Sequence, residues 1–114
     1  MLTEKDYCDK DLTAALKDLG FPTKMVFIGE QATIEIPINS GLISLYEAQK
    51  YLREEHDLHI EVRWYCNMWY EYEVKEAEGK VVVEGSVFPT YEEALSTAVR
   101  MAVEHLKEKQ DGRL

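Results

Sequence analysis

Two histidines three residues apart, His56 and His59, with Cys66 seven positions further on, are the first residues whose types and spacing could do chemistry. On a single helix, i and i+3 imidazoles could share one metal ion, but zinc needs a third and usually a fourth ligand. Glu55 and Asp57 are close in sequence. However, the pair straddles the expected end of a helix and start of a strand, which sets no common geometry. The expectation is a solvated helix-end loop, with no metal and no cofactor. His105 falls at the edge of an apolar helical stripe, a place for packing rather than base catalysis. Ser44 is better placed as a helix cap than as a nucleophile. Neither cysteine has a neighbouring histidine and helix N-terminus to lower its thiol pKa. None of the 6 glycines falls in a phosphate-cradling GxGxxG or GxxxxGK pattern. No catalytic residue is assigned, and a non-enzymatic protein is expected.

Aromatic and acidic residues are the more unusual features. Trp64, Tyr65, Trp69, Tyr70 and Tyr72 fall in one short stretch. Strand alternation divides them between two faces, placing Trp64, Tyr70 and Tyr72 in the core and Tyr65 and Trp69 on a wet face. Large rings bury much area and are enriched at interfaces; the plainer use is cross-strand packing within one chain. Residues 71–93 hold Glu71, Glu73, Glu76, Glu78, Glu84, Glu92 and Glu93 against only Lys75 and Lys80. On alternating strand positions such glutamates would line one sheet face. That face could be merely solvated, could dock a basic partner, or could imitate a phosphate track. The candidate interaction surface is therefore Tyr65, Trp69, Glu61, Glu71, Glu73 and Glu84. Base stacking by these rings would need flanking cations, and only Arg63 and Lys75 are near.

Whole-chain numbers narrow the classes. The chain has 114 residues and a net charge of −9, from 22 Asp and Glu against 13 Lys and Arg. Acids exceed bases in both halves, so the acidity is not a tail. Such a charge repels phosphate backbones and disfavours direct nucleic-acid binding. One domain over 1–109 with a frayed tail at 110–114 is expected, large enough to fold without metals or disulfides. No apolar run approaches the ~18 residues of a membrane span. The first ten residues are polar and acidic with no apolar h-region, so a secretory signal is not expected there. Cys8 and Cys66, with no CxxC spacing, read as reduced thiols in a cytoplasmic protein. Cys66, in an expected strand, reads as buried.

The positioning elements follow from periodicity and punctuation. Residues 9–19 read as a helix, with Asp9 as N-cap, Gly20 and Pro22 as stop signals, and Phe21 folding back on Leu16. Residues 24–28 and 32–38 read as a hairpin around Gly29-Glu30, with Ile34, Ile36 and Ile38 on one face and Pro37 marking an edge or end. Asn39-Ser40-Gly41 reads as a turn. Ser44 and Glu47 form a capping box that opens a helix to His56. Strands at 59–66, 69–76 and 80–88 form an antiparallel meander, turning at Asn67-Met68 and Glu78-Gly79. Thr90 and Glu93 make a second capping box for a helix from Tyr91 to Lys107. Ala94, Leu95, Ala98, Met101, Ala102 and Leu106 form its apolar stripe, widened by Val99 and Val103. The order α-β-β-α-β-β-β-α predicts an α+β fold: an antiparallel sheet, meander plus N-terminal hairpin, with helices packed on one face.

The segment Ser-Leu-Tyr-Glu-Ala-Gln-Lys-Tyr-Leu-Arg-Glu-Glu-His-Asp-Leu-His-Ile-Glu-Val at 44–62, followed by Thr-Tyr-Glu-Glu-Ala-Leu at 90–95, resembles small uncharacterised proteins of gut Bacteroidales genomes, their prophages and other mobile elements. The resemblance covers about residues 10–108 and implies a bacterial cytoplasmic protein for which a homodimer is plausible. It carries over no catalytic residue. The block Ile60 to Leu106 also resembles HicB-type antitoxin domains. With the helix at 45–56 it has the element order of a double-stranded-RNA-binding domain. That family grips phosphates with lysines at the start of its last helix, where this chain has Glu92 and Glu93. Together these readings predict an accessory protein that acts by protein–protein contact, with itself or another chain, through an acidic, aromatic-bearing sheet face. The alternatives are an antitoxin or anti-defence decoy for a basic nucleic-acid-binding protein, and a small-molecule binder with an aromatic pocket.

Overall fold

Helix α1 (Lys10–Asp18) starts where Asp9 accepts the Leu12 N–H at 2.8 Å. It ends in a Schellman motif: Phe21 N–H reaches Leu16 O and Gly20 N–H reaches Lys17 O, each at 3.0 Å. Gly20 supplies the left-handed φ of 105° that this cap requires. The computed structural model describes residues 4–21, 24–28, 32–36 and 42–112. A short 3-10 turn (Glu4–Asp6) precedes α1. After it come β1 (Lys24–Ile28), β2 (Ala32–Ile36), α2 (Leu45–His56), β3 (His59–Tyr65), β4 (Trp69–Lys75), β5 (Val81–Phe88) and α3 (Tyr91–Gln110). The fold is α+β. The turns expected at Gly29-Glu30 and Asn39-Ser40-Gly41, the positions of Pro37 and Ile38, and the faces of the hairpin side chains lie outside the described residues.

The sheet is not continuous. β1 pairs antiparallel with β2 alone, as a separate two-stranded sheet, while β3-β4-β5 form the meander. Each capping box forms its hydroxyl half: Ser44 Oγ accepts from Glu47 N–H at 3.1 Å, and Thr90 Oγ1 from Glu93 N–H at 3.2 Å. α2 closes on Asp57, whose φ of 52° places it in the left-handed region that aspartate tolerates. α3 runs to Gln110, three residues beyond the expected Lys107, because Glu104, Lys107, Glu108 and Lys109 are strong helix formers on a solvated face.

α3 crosses all three strands of the meander, packing its alanine-rich stripe against them. Ala94, Ala98 and Ala102 are fully buried, and their small side chains let helix and sheet approach closely. Leu95, Val99, Val103 and Leu106 from α3 join Leu45, Ala48 and Leu52 from α2 and Leu12 and Leu16 from α1 in one core. Ile60, Tyr72 and Val74 are the buried strand residues beneath it. The N-terminal segment is tied in by Cys8 N–H to Ile43 O at 2.8 Å and by the Arg100–Asp9 ion pair at 2.6 Å. No helix among the described residues is long and apolar enough to cross a membrane.

Candidate interaction surface

The register of the meander arranges its side chains in rows. Ile60↔Val74, Val62↔Tyr72 and Trp64↔Tyr70 face α3, while Glu61↔Glu73, Arg63↔Glu71 and Tyr65↔Trp69 face away. β5 adds Val83, Gly85 and Phe88 to the helix face, and Glu84 opposite Glu73 to the open face. Gly85 is required there, because a Cβ would lie 2.5 Å from Cε2 of the Tyr72 ring. Between Gly85 and Phe88 the register slips: two residues, Ser86 and Val87, oppose Glu71 alone, a β-bulge. Val87 there has φ 68°, a genuine outlier for a β-branched residue.

The turn between β3 and β4 and its flanks correct four expectations. Cys66 is not a buried strand residue. It is exposed, with φ 48°, in a turn closed by Met68 N–H to Tyr65 O at 2.9 Å. Asn67 has φ 60°, so both central residues are left-handed, as in a hairpin turn of the primed type. The connection is therefore Cys66–Met68 rather than Asn67-Met68. Trp64 faces the helix side, as alternation requires, yet is 61% exposed rather than core, because it lies at the far end of the strand. Trp69, expected on a wet face, is only partly exposed; Tyr65 stacks on it with centroids 5.3 Å apart. Its indole Nε1 is shut off from solvent without a hydrogen-bond partner among the described residues, a defect that costs about 1–3 kcal/mol.

A cluster results at one end of the sheet. Trp64 (61% exposed), Tyr65 (48%), Met68 (68%) and Val87 (67%) are open to solvent there. Rings behind them hold the position. Tyr70 stacks near Trp64 at 6.4 Å and meets Tyr91 of α3 edge-on at 6.0 Å, while Phe88 tilts against Tyr72 at 5.7 Å. Met68 and Val87 are the members that sequence reasoning missed. A methionine in a turn gives no periodic signal, and the bulge that turns Val87 outward depends on pairing with another strand.

The open-face charges are less acidic than their count. Arg63 Nη2 lies 2.7 Å from Glu73 and 3.3 Å from Glu71, and Nη1 3.7 Å from Glu61. Lys75 Nζ is 3.3 Å from both Glu61 and Glu73. Hydrogen bonds from Arg63 and Lys75 hold the Glu73 carboxyl below its usual range; Glu73 in turn raises Arg63, and Glu61 followed by Glu73 raises Lys75. These cations reach the β3 and β4 sides only. Glu84 on β5 is exposed and has no ion pair among the described residues.

The histidines do not converge on a metal. His59 is exposed on β3. His56 Nε2 is 3.0 Å from Tyr51 Oη, which donates to Leu19 O at 2.9 Å. With the phenol proton committed to that carbonyl, Nε2 carries the hydrogen and donates. Among the described residues no group of three or more His, Cys, Asp or Glu is arranged to hold a metal ion. His105 Nε2 lies 3.8 Å from Glu76 at the rim of a small cavity. Phe21, Tyr51 and His56 line a cleft of about 700 Å³ beside α2, with Glu47, Lys50, Glu54 and Glu55. Tyr46 donates to Asp6 at 3.0 Å, and burial together with that carboxylate pushes the phenol up to about 12. Comparison with protein-family models, curated proteins and solved structures finds no match to this chain.

Proposed function

We propose that this protein works by contact with another protein chain, through the aromatic end of its three-stranded sheet, and has no catalytic role. The observation that carries this reading is the gathering of Trp64, Tyr65, Met68 and Val87, each about half exposed or more, around one turn and one bulge. Exposed apolar residues scattered singly need no explanation, but these four stand together at one end of one sheet, Trp64 toward its helix face and Tyr65 on its open face, where a partner gripping the sheet end would meet them all. Tryptophan, tyrosine and methionine are the side chains that interfaces favour. A bacterial, cytoplasmic accessory role, on a mobile element and with a homodimer possible, fits this reading.

The decoy alternative requires a row of free glutamates. Arg63 and Lys75 tie up Glu61, Glu71 and Glu73, so the aromatic end rather than the acids is the primary surface. The small-molecule alternative has its own location, the cleft beside α2 lined by Phe21, Tyr51 and His56.

A photo-crosslinking side chain in place of Met68, activated in the cell that expresses the protein, tests the proposal. One discrete adduct is expected, and combining Trp64→Ser with Val87→Ser should abolish it while the circular dichroism spectrum is unchanged. An adduct of twice the 13.2 kDa chain mass would identify a second copy as the partner. No adduct, or one indifferent to those substitutions, would overturn the proposal.

A further inference from the structure

The open face is electrically lopsided. Glu61, Glu73 and Glu84 form one row across all three strands. Like charges directly opposite one another destabilise a strand pair unless a cation intervenes. Arg63 and Lys75 intervene between Glu61 and Glu73, and nothing among the described residues intervenes between Glu73 and Glu84. At that corner, beside the bulge in β5, lies a cavity of about 410 Å³. Arg63, Glu71, Glu73, Glu84 and Ser86 are among the residues that line it. Three carboxylates thus surround a space beside a single guanidinium that Glu71 and Glu73 already share and with which Glu84 makes no ion pair.

We infer that this corner receives the positively charged side chain of the partner segment whose apolar residue covers Tyr65 and Trp69. The inference rests on the contact reading above and adds the chemistry of the partner. Tyr65 and Trp69 share the open face with the corner and lie two rows away from its Glu73–Glu84 pair. Two rows amount to roughly 14 Å, the length of four residues in an extended strand. The partner therefore presents an apolar residue and, about four positions along an extended segment, an arginine or lysine. A second copy of this chain is the poorer occupant, because with a net charge of −9 it brings a surplus of carboxylates to the same place. Arginine suits the corner better than lysine, since its planar fork can meet two carboxylates at once.

The test is an NMR titration of the ¹⁵N-labelled full chain with an acetylated heptapeptide carrying leucine at its second position, arginine at its sixth and threonine elsewhere. Control peptides replace the arginine by citrulline, its neutral isostere, or by glutamate. The arginine peptide should shift the amides of Tyr65 and Trp69 together with those of Glu84 and Ser86. Citrulline should leave the first pair shifted and the second still, and weaken binding about tenfold, the scale of one charge-assisted hydrogen bond. The exposed substitution Glu84→Gln should reproduce that loss, and added salt should shrink it. Equal shifts with citrulline or glutamate, or shifts at Tyr65 and Trp69 alone, would overturn the charged corner and leave the aromatic contact standing. Shifts at neither place would overturn both.

Discussion

The turn at Glu76–Lys80 and the turn at Cys66–Met68 both join neighbouring strands of the meander, with different materials. In the first, Glu76 N–H donates to Lys80 O at 2.9 Å, Gly79 N–H returns to Glu76 O at 2.8 Å, and Gly79 supplies the positive φ of 90°. Glycine adopts that conformation at no steric cost. In the second, Cys66 and Asn67 adopt it without a glycine, and Val87 does so in the adjacent strand. Three of the four non-glycine residues with positive φ among those described stand at the aromatic end; the fourth, Asp57, is a helix cap. Strain, an unpartnered indole N–H and exposed large side chains therefore coincide. Strained conformations persist where surrounding structure over-determines them, and they cluster at ligand-binding sites and switches. The contrast separates a part of the sheet built for stability from a part that stability alone does not explain.

The two cysteines probe that contrast with the largest expected effect. Cys8 is fully buried beside α1, and Cys66 sits exposed in the strained turn. A thiol-specific reagent should label Cys66 at once and Cys8 only through opening of the core, at least about a thousandfold more slowly. Comparable rates would mean that the core opens as readily as the aromatic end. Burial, with Asp9 adding to it, pushes the Cys8 thiol up to about 12 from an ordinary 9.0. Below pH 9 both folded and unfolded chains hold that proton. As pH rises from 9 toward 12 the unfolded chain releases it first, so this contribution to stability is lost across that window. Cys8→Ser should alter the alkaline limb of a denaturation profile, whereas Cys66→Ser should not.

Side-chain truncation gives the next largest difference. Leu95 is fully buried between α3 and the sheet, and Leu95→Ala should cost about 2–5 kcal/mol. Trp64 is the larger side chain, but Trp64→Ala should change stability by no more than about 0.5 kcal/mol, as for other surface positions. Urea denaturation of both variants checks this. A costly Trp64→Ala would make the exposed indole part of the fold's own packing and weaken the contact reading.

Much of the fold was legible in the sequence because its signals are local. Asp9, Ser44 and Thr90 cap the helices they were expected to cap, Gly20 and Phe21 end α1 as expected, and the alternation of 59–65 and 69–75 places charged and apolar residues on opposite faces. The site was legible only in part because its defining features are non-local. Alternation assigns Trp64 to the helix face but cannot show that the strand end leaves it exposed. Counting glutamates shows an acidic face but not that Arg63 is shared by three of them while Glu84 has none. Cys66 looked like a strand residue because it continued the period of two, and the turn that claims it contains no glycine to announce it.

The smallest expected effect bears most directly on that turn. A non-glycine residue in the left-handed region pays about 1–2 kcal/mol, less for asparagine. Cys66→Gly removes this cost, but glycine also gives up more conformational freedom on folding, about 0.5–1 kcal/mol. The net expectation is a gain in stability of up to about 1 kcal/mol. Gly79→Ala, where open space surrounds the missing Cβ, imposes the same strain on the other turn and should cost about 1 kcal/mol. The two substitutions exchange the materials of the two turns, and urea midpoints should move in opposite directions with unchanged slopes. If Cys66→Gly instead destabilises, the thiol contributes packing that outweighs its backbone strain. The aromatic end would then be a stabilised element like the other turn, and the coincidence of strain with exposed rings would lose its meaning.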